Sequence, residues 1–280
     1  MAFAYHVNVP AEVWILPSPL FHEKISLVSH MINKQITGDD VMTYHSAYPR
    51  QTQAYVIDYK QSDVTGDGVP DHLYLVGERP YGMESAYTVN ISLYIQDGRT
   101  GRWHQIIPKE NAGYQPTIFL GDFTGNGVNE IMLSIFSGGS GGYTFYYIYS
   151  YLNNTSTVVF DHEVFNQEVT YTVTYKDNYQ VEVAGSNTNT YTIDLKYKGE
   201  EYLSEIYNPD GTLKEPIQGW VNPLGGLYPV DFQRNGVYGL YATQRIAGRY
   251  NADAIGEVQT ALDWNGERFA PLFQTVGIFG

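Results

Sequence analysis

Three acidic stretches carry the chemistry most readily read from this chain: DVTGDGVPD at 63–71, DFTGNGVNE at 122–130 and DFQRNGVYG at 231–239. Side-chain oxygens at positions one, three, five and nine, with a backbone carbonyl at position seven, can converge on a hard cation. Glycine at position six permits the sharp turn this requires. An oxygen-only set favours Ca²⁺, whereas zinc would call for His or Cys. The first copy offers Asp63, Thr65, Asp67, the carbonyl of Val69 and Asp71; the second offers Asp122, Thr124, Asn126, the carbonyl of Val128 and Glu130. The third has Gly239 in place of the last acid and carries Arg234 inside the loop, where its charge opposes an ion. None is an EF-hand, because Tyr74 and Leu133 stand where the twelfth-position Glu would be and strands are expected on both sides. The competing reading is that Asp-Gly and Asn-Gly are ordinary turn formers.

Other candidate chemistry is sparser. There is no Cys, hence no disulfide framework, thiolate site or cysteine nucleophile. The seven His residues show no HExxH spacing and no nucleophile motif. His72 is expected to be structural, and Asp161-His162-Glu163 reads as the exit of a hairpin. The glycine-rich SGGSGG at 137–142 lacks the Lys-Ser/Thr of a phosphate loop and precedes a strand. It reads as a connection, with a binding rim as the other reading. Arg245, Arg249 and Tyr250 form the densest Arg-aromatic cluster and are the candidate contact residues for a partner; the competing reading is a surface loop with local ion pairs. No pair of carboxylates is singled out for glycoside hydrolysis.

Charge limits the partners. With 16 Lys+Arg against 30 Asp+Glu, the formal net charge is −14. That disfavours nucleic acid and anionic membrane surfaces, both of which are held by clustered basic residues. No apolar run reaches the ~18 residues of a spanning helix, so membrane insertion is not expected. The N-terminal residues show neither the basic nor the continuous apolar region of a classical signal peptide. A cell or spore surface is nevertheless the suspected location.

The elements that must hold these loops are strands. One helix is expected near the start, with Ser18 as cap, Pro19 in its first turn and Ile25, Val28 and Ile32 on one face. Beyond residue 50, alternation dominates at Tyr55–Tyr59, His72–Val76, Val89–Ile95, Phe145–Tyr151, Tyr171–Tyr175, Gln180–Val183, Tyr191–Leu195, Leu240–Thr243 and Glu257–Leu262. Within residues 143–151, Tyr143, Phe145, Tyr147, Tyr149 and Tyr151 share one face and Tyr146 and Ile148 the other. A strand apolar on both faces is covered on both, as in a propeller blade rather than a two-layer sandwich. Each acidic loop lies between two apolar segments and is followed by a hairpin, giving a four-strand unit. The first two loops are 122 − 63 = 59 residues apart and the next two 231 − 122 = 109, near two repeat lengths. The expected architecture is all-β: a propeller of four or five blades, five slightly preferred, with units at 54–113, 114–165, 166–226 and 227–280. Residues 1–53 form a divergent segment or degenerate blade.

The loops and their flanking strands resemble FG-GAP/VCBS-type repeats, as in the integrin α-subunit propeller, over residues 54–165 and 227–280. The whole chain also resembles VCBS-repeat-containing proteins of spore-forming Firmicutes. That resemblance implies calcium in the loops and a surface or binding role, and it implies no reaction. The function expected is a calcium-stabilised, non-enzymatic propeller acting as a surface, structural or assembly protein, through self-association or a surface partner. A carbohydrate-binding, lectin-like module that takes glycan is the alternative. A propeller glycosidase is the remote third reading.

Overall fold

The computed structural model describes residues 54–278 apart from 83, 187 and 188. The helix expected from Ser18 to Ile32 and the divergent segment 1–53 lie outside the described residues. The described chain is all-β, as expected, with sixteen strands, two short α-helices and two single-turn 3-10 helices.

The strands fall into four consecutive segments. The first is β1 (Ala54–Ser62), β2 (Asp71–Glu78), β3 (Tyr87–Gln96) and β4 (Trp103–Ile106). The second is β5 (Gly113–Gly121), β6 (Glu130–Gly138), β7 (Tyr143–Ser150) and β8 (Thr157–Asp161), followed by α1 (His162–Glu168). The third is β9 (Tyr171–Lys176), β10 (Gln180–Gly185), β11 (Thr190–Asp194) and β12 (Gln218–Val221), with α2 (Gly199–Ile206) before β12. The fourth is β13 (Gly226–Val230), β14 (Gly239–Ala247), β15 (Ala254–Trp264) and β16 (Phe269–Gly277).

Hydrogen bonding joins these segments in pairs. One eight-stranded sheet runs β1-β2-β3-β5-β6-β7-β8, with β4 also on β3; the other runs β11-β10-β9-β12-β14-β15-β16, with β13 also on β14. The joins are short: Tyr87 opposite Tyr114 and Thr88 opposite Gly113 in the first sheet, Trp220 opposite Ala247 and Val221 opposite Ile246 in the second. A two-pair join lets the segments turn their faces toward each other instead of continuing as one flat ribbon.

The cores follow from that. Leu73, Leu75, Ile91, Leu93 and Ile95 of the first segment pack on Ile131, Leu133, Ile135, Tyr147 and Tyr149 of the second. Phe123, Met132, Tyr146, Ile148 and Phe160 of the second pack on Leu227, Leu240, Ala242, Leu262 and Phe269 of the fourth. Val173, Tyr175, Val181, Val183 and Ile193 of the third pack on Ile246, Ile255 and Val258 of the fourth. Strand β7 thus sends Tyr147 and Tyr149 into one core and Tyr146 and Ile148 into another, which is what its two apolar faces require. The second segment lies against the fourth, so the packing order is first, second, fourth, third.

Candidate functional site: a row of acidic loops

The three acidic stretches connect β1 to β2, β5 to β6 and β13 to β14, and they close on themselves in the same way. The Asp at position one accepts the backbone N–H groups of the turn. Asp63 takes Gly66 at 2.7 Å and Gly68 at 2.7 Å. Asp122 takes Gly125 at 2.7 Å and Gly127 at 2.9 Å. Asp231 takes Asn235 at 3.1 Å and Gly236 at 2.9 Å. The side chain at position five then accepts the N–H at position seven: Asp67 from Val69 at 2.8 Å, Asn126 from Val128 at 2.7 Å and Asn235 from Val237 at 3.0 Å. Positions four and six both have positive φ: Gly66 and Gly68, Gly125 and Gly127, but Arg234 and Gly236 in the third copy. Glycine meets that requirement at no steric cost, and arginine does not.

Position nine separates the copies. Asp71 is fully buried and accepts Val64 N at 2.9 Å and Thr65 N at 3.0 Å through one oxygen, and Gly98 N at 2.8 Å through the other. Glu130, also buried, accepts Phe123 N at 2.7 Å, Thr124 Oγ1 at 2.7 Å and Asn126 Nδ2 at 3.2 Å. Burial lifts the Glu130 carboxyl above the usual carboxylate range; the charge of Asp122 adds to this, and the hydrogen bonds from Thr124 and Phe123 oppose it. Gly239 supplies no such acceptor. The side chains at position two respond: Val64 and Phe123 are fully buried, whereas Phe232 is 38% exposed. A Cβ built on Gly239 would meet the Phe232 ring at 2.8 Å.

The loops form a row. Position seven of each later loop sits over the glycine at position four of the one before: Val128 lies 3.1 Å from a Cβ built on Gly66, and Val237 lies 3.8 Å from one built on Gly125. Tyr238 N donates to the Asp122 carbonyl at 2.8 Å, and Asn129 Nδ2 donates to Ser62 Oγ at 2.7 Å. The residues expected as metal ligands are therefore brought into one row of loops, but each copy spends its oxygens internally. Asp67 is ion-paired to Arg99 at 2.7 Å, and Thr124 and Asn126 present an O–H and an N–H to Glu130 where a cation would need their oxygens. Among the described residues no group of three or more His, Cys, Asp or Glu is arranged to hold a metal. As arranged, the oxygens of these loops are taken up by protein partners; Ca²⁺ in the first loop would require Asp67 to leave Arg99.

A family model described as the YybI C-terminal domain matches residues 169–277, the stretch that holds the third and fourth segments. A protein of Bacillus subtilis (strain 168), named only as uncharacterized protein YybI, is 50% identical over 233 residues, covering 83% of this chain and 88% of that protein. The chain belongs to the YybI family. No solved structure matches it. These matches overturn the FG-GAP/VCBS resemblance, since no family of such repeats is found. The shared letters have a local cause. Any loop that caps its own N–H groups from position one, turns through positive φ at positions four and six and closes from position five is driven toward D-x-x-G-[D/N]-G.

The Arg-aromatic cluster of this YybI-family chain divides. Arg249 is paired to Glu205 at 2.8 Å and stacks over Tyr202 at 4.9 Å. Arg245 donates to the Ser140 carbonyl at 3.0 Å and so pins the glycine-rich turn between β6 and β7. Asn222 Nδ2 holds the same turn at the Gly141 carbonyl, 3.2 Å away. Tyr250, 56% exposed, lies under the Arg249 guanidinium at 6.0 Å from its ring centroid. Asp161 stands at the exit of the β7–β8 hairpin, as expected, and there caps α1, accepting Glu163 N at 2.8 Å.

Three residues that sequence reasoning passed over matter here. Arg99 neutralises Asp67. Asp97, 1% exposed, accepts Thr100 N at 2.7 Å and Asn154 Nδ2 at 2.8 Å, tying the β3–β4 hairpin to the second segment. Burial opposes its ionisation, but the hydrogen bonds from Thr100, Asn154 and Arg99 prevail and hold its carboxyl below the usual range. Asp253, 4% exposed, accepts Tyr202 Oη at 2.9 Å and pairs with Lys198 at 3.3 Å, joining α2 to the β14–β15 turn. Tyr202 also bonds Tyr175, whose phenol is pushed up to about 12, chiefly by burial. The Asp-Gly turn at 97–98 was the one local signal; the partners of Arg99 and Asp253 are too distant in sequence to suggest a pairing.

Proposed function

We propose that this YybI-family chain is a non-enzymatic structural protein that works by assembly at a cell or spore surface. One observation carries the reading: Asp71, Asp97, Glu130 and Asp253, all buried, each spend a carboxylate on holding chain segments together. Chemistry invested in holding backbone is what a load-carrying scaffold needs. The four described segments are read as blade units of a propeller.

The assembly part draws on β16, the edge strand of the second sheet, where Leu272 and Phe273 are 55% and 53% exposed. An edge strand with apolar side chains is a pairing surface. Sedimentation of the full chain over a concentration series tests this. Association that is lost in the double variant Leu272→Asp, Phe273→Asp is expected; a strict monomer at every concentration overturns it. Among the described residues no helix is long and apolar enough to cross a membrane.

Calcium enters as an addition to the first two loops and not as their closure. Melting in Ca²⁺ and in EDTA distinguishes the two cases. A rise of several degrees with Ca²⁺ means that Asp67 exchanges Arg99 for the ion; equal melting leaves hydrogen bonds as what closes the loops.

A further inference from the structure

We propose that the loss of the acid at position 239 has turned the third loop into a binding site for one ring of a neutral saccharide. A cleft of 190 Å³ lies between Thr124–Gly125 of the second loop and the third loop, with Gly239 and Trp264 behind it. In the first two loops the corresponding space beside position nine holds a carboxylate and its hydrogen bonds. Here Gly239 brings no side chain, and the Phe232 ring packs against it instead, at the edge of the cleft and with more than a third of its surface exposed. The fourth segment thus presents two aromatic side chains, Phe232 and Trp264, at one cleft, packed on a rigid core through the Trp264–Phe269 contact of 5.4 Å between ring centroids.

The polar groups beside these rings are amides and one carboxylate. Gln233 Nε2 donates to Asp263 Oδ2 at 3.3 Å, so an amide and an acid stand side by side. Asn235 uses its Oδ1 on Val237 N and keeps its NH₂ for a ligand. A carboxylate accepts from one hydroxyl while the amide NH₂ beside it donates to the neighbouring hydroxyl, which matches a vicinal diol, and a ring C–H face lies on an aromatic plane. No Lys or Arg lines the cleft, which disfavours phosphate and acidic sugars. A single acid among amides is a poor cation site. The volume is below the roughly 300–1,000 Å³ of drug-sized pockets, so one sugar ring is the unit that fits and an affinity of about millimolar is expected.

The cleft does not depend on the scaffold reading, because its residues are not those of the β16 edge. Saturation-transfer NMR on the full chain tests it, with maltotriose, cellotriose, chitotriose and mannotriose as probes and a uronate trisaccharide and an arginine-containing tripeptide alongside. At least one neutral trisaccharide is expected to bind. Phe232→Ala and Gln233→Ala should each weaken it about tenfold or more, with unchanged melting, while Phe232→Tyr retains binding. The proposal is overturned if none of the neutral trisaccharides binds, if only the uronate or the tripeptide does, or if both alanine variants bind as tightly as the parent.

Discussion

The first two acidic loops and the third share a fold, and the difference of most consequence is at position nine. All three cap their turns with an Asp at position one and close with an Asp or Asn at position five. The first two add a buried acid at position nine, Asp71 or Glu130, and with it a fully buried side chain at position two. The third has Gly239, an exposed Phe232 and a cleft. The closure of the turn is therefore local and needs only positions one to seven. The acid at position nine does something else: it fastens the entry of the loop to the following strand and, through Gly98, fastens the first loop to the β3–β4 hairpin. Where that fastening is absent, surface is released for another use.

The largest expected effect separates these two layers of closure. Asp71→Ala strands the two buried backbone N–H groups of Val64 and Thr65, each worth about 1–3 kcal/mol when left without a partner, and releases the N–H of the exposed Gly98. A loss of about 3–5 kcal/mol is expected, which for a unit of this size lowers Tm by on the order of 10 °C. Asp231→Ala in the third loop exposes its N–H groups to water, and thermal unfolding should show only a small change. Equal losses for the two variants would break the distinction.

Gly66→Ala is expected to cost about 2 kcal/mol, from left-handed backbone and from crowding together. Its φ is +78°, and a Cβ there would lie 2.7 Å from Leu152 Cδ1 and 3.1 Å from Val128 Cγ2. Gly236→Ala in the third loop has a φ of +87° but nothing within 4 Å. Chemical denaturation should therefore show a smaller loss at Gly236, the difference being the loop-to-loop packing. If the two match, crowding against Leu152 and Val128 adds nothing to the backbone cost at Gly66.

Protonation sharpens the contrast in a smaller measure. The Asp97 carboxyl is held below its ordinary value, so its contribution is present above about pH 4 and is lost as pH falls through the folded pKa. The Glu130 carboxyl is raised, so the sign reverses: its folded form favours the proton, and stability falls as pH rises from about 4.5 through the folded pKa. Neither slope exceeds about 1.4 kcal/mol per pH unit for one proton. Denaturant midpoints from pH 3 to 7 should show Asp97→Asn flattening the acid limb and Glu130→Gln removing the decline above it. Curves of both variants parallel to the parent would show that these carboxyls do not govern the pH response.

Much of this was legible in local sequence, and the reasons are specific. Residues 143–151 announce two buried faces because both alternate sets are apolar, and β7 has both. The three loops announce their turns because positive φ selects glycine and self-capping selects Asp and Asn. What was not legible depends on long-range pairing. The contact of the second segment with the fourth is carried by Met132, Ile148, Leu240 and Leu262, which look like any core residues. The salt bridge that occupies Asp67 comes from Arg99, 32 residues away. Helix α2 carries Glu200 and Glu201 in its first turn and buries Ile206, but its single eight-residue run is too short to stand out among strands. The family resemblance misled for the same local reason: loop geometry dictates the letters, so the letters report geometry before ancestry.

The smallest expected effect has the opposite sign. Arg234 occupies the position that is glycine in the other two loops and holds φ at +56°. An L-residue other than glycine in this region is strained by about 1–2 kcal/mol, and glycine returns part of that gain through the entropy of the unfolded chain. Arg234→Gly should thus stabilise the protein by about 0.5–1 kcal/mol, read as a rise in denaturant midpoint with unchanged slope. Because Arg234 is exposed and does not line the cleft, saccharide binding should be unaffected. A destabilised Arg234→Gly would mean that the arginine makes an interaction worth more than its backbone strain, and the third loop would then be kept open by that contact and not merely by the loss of an acid.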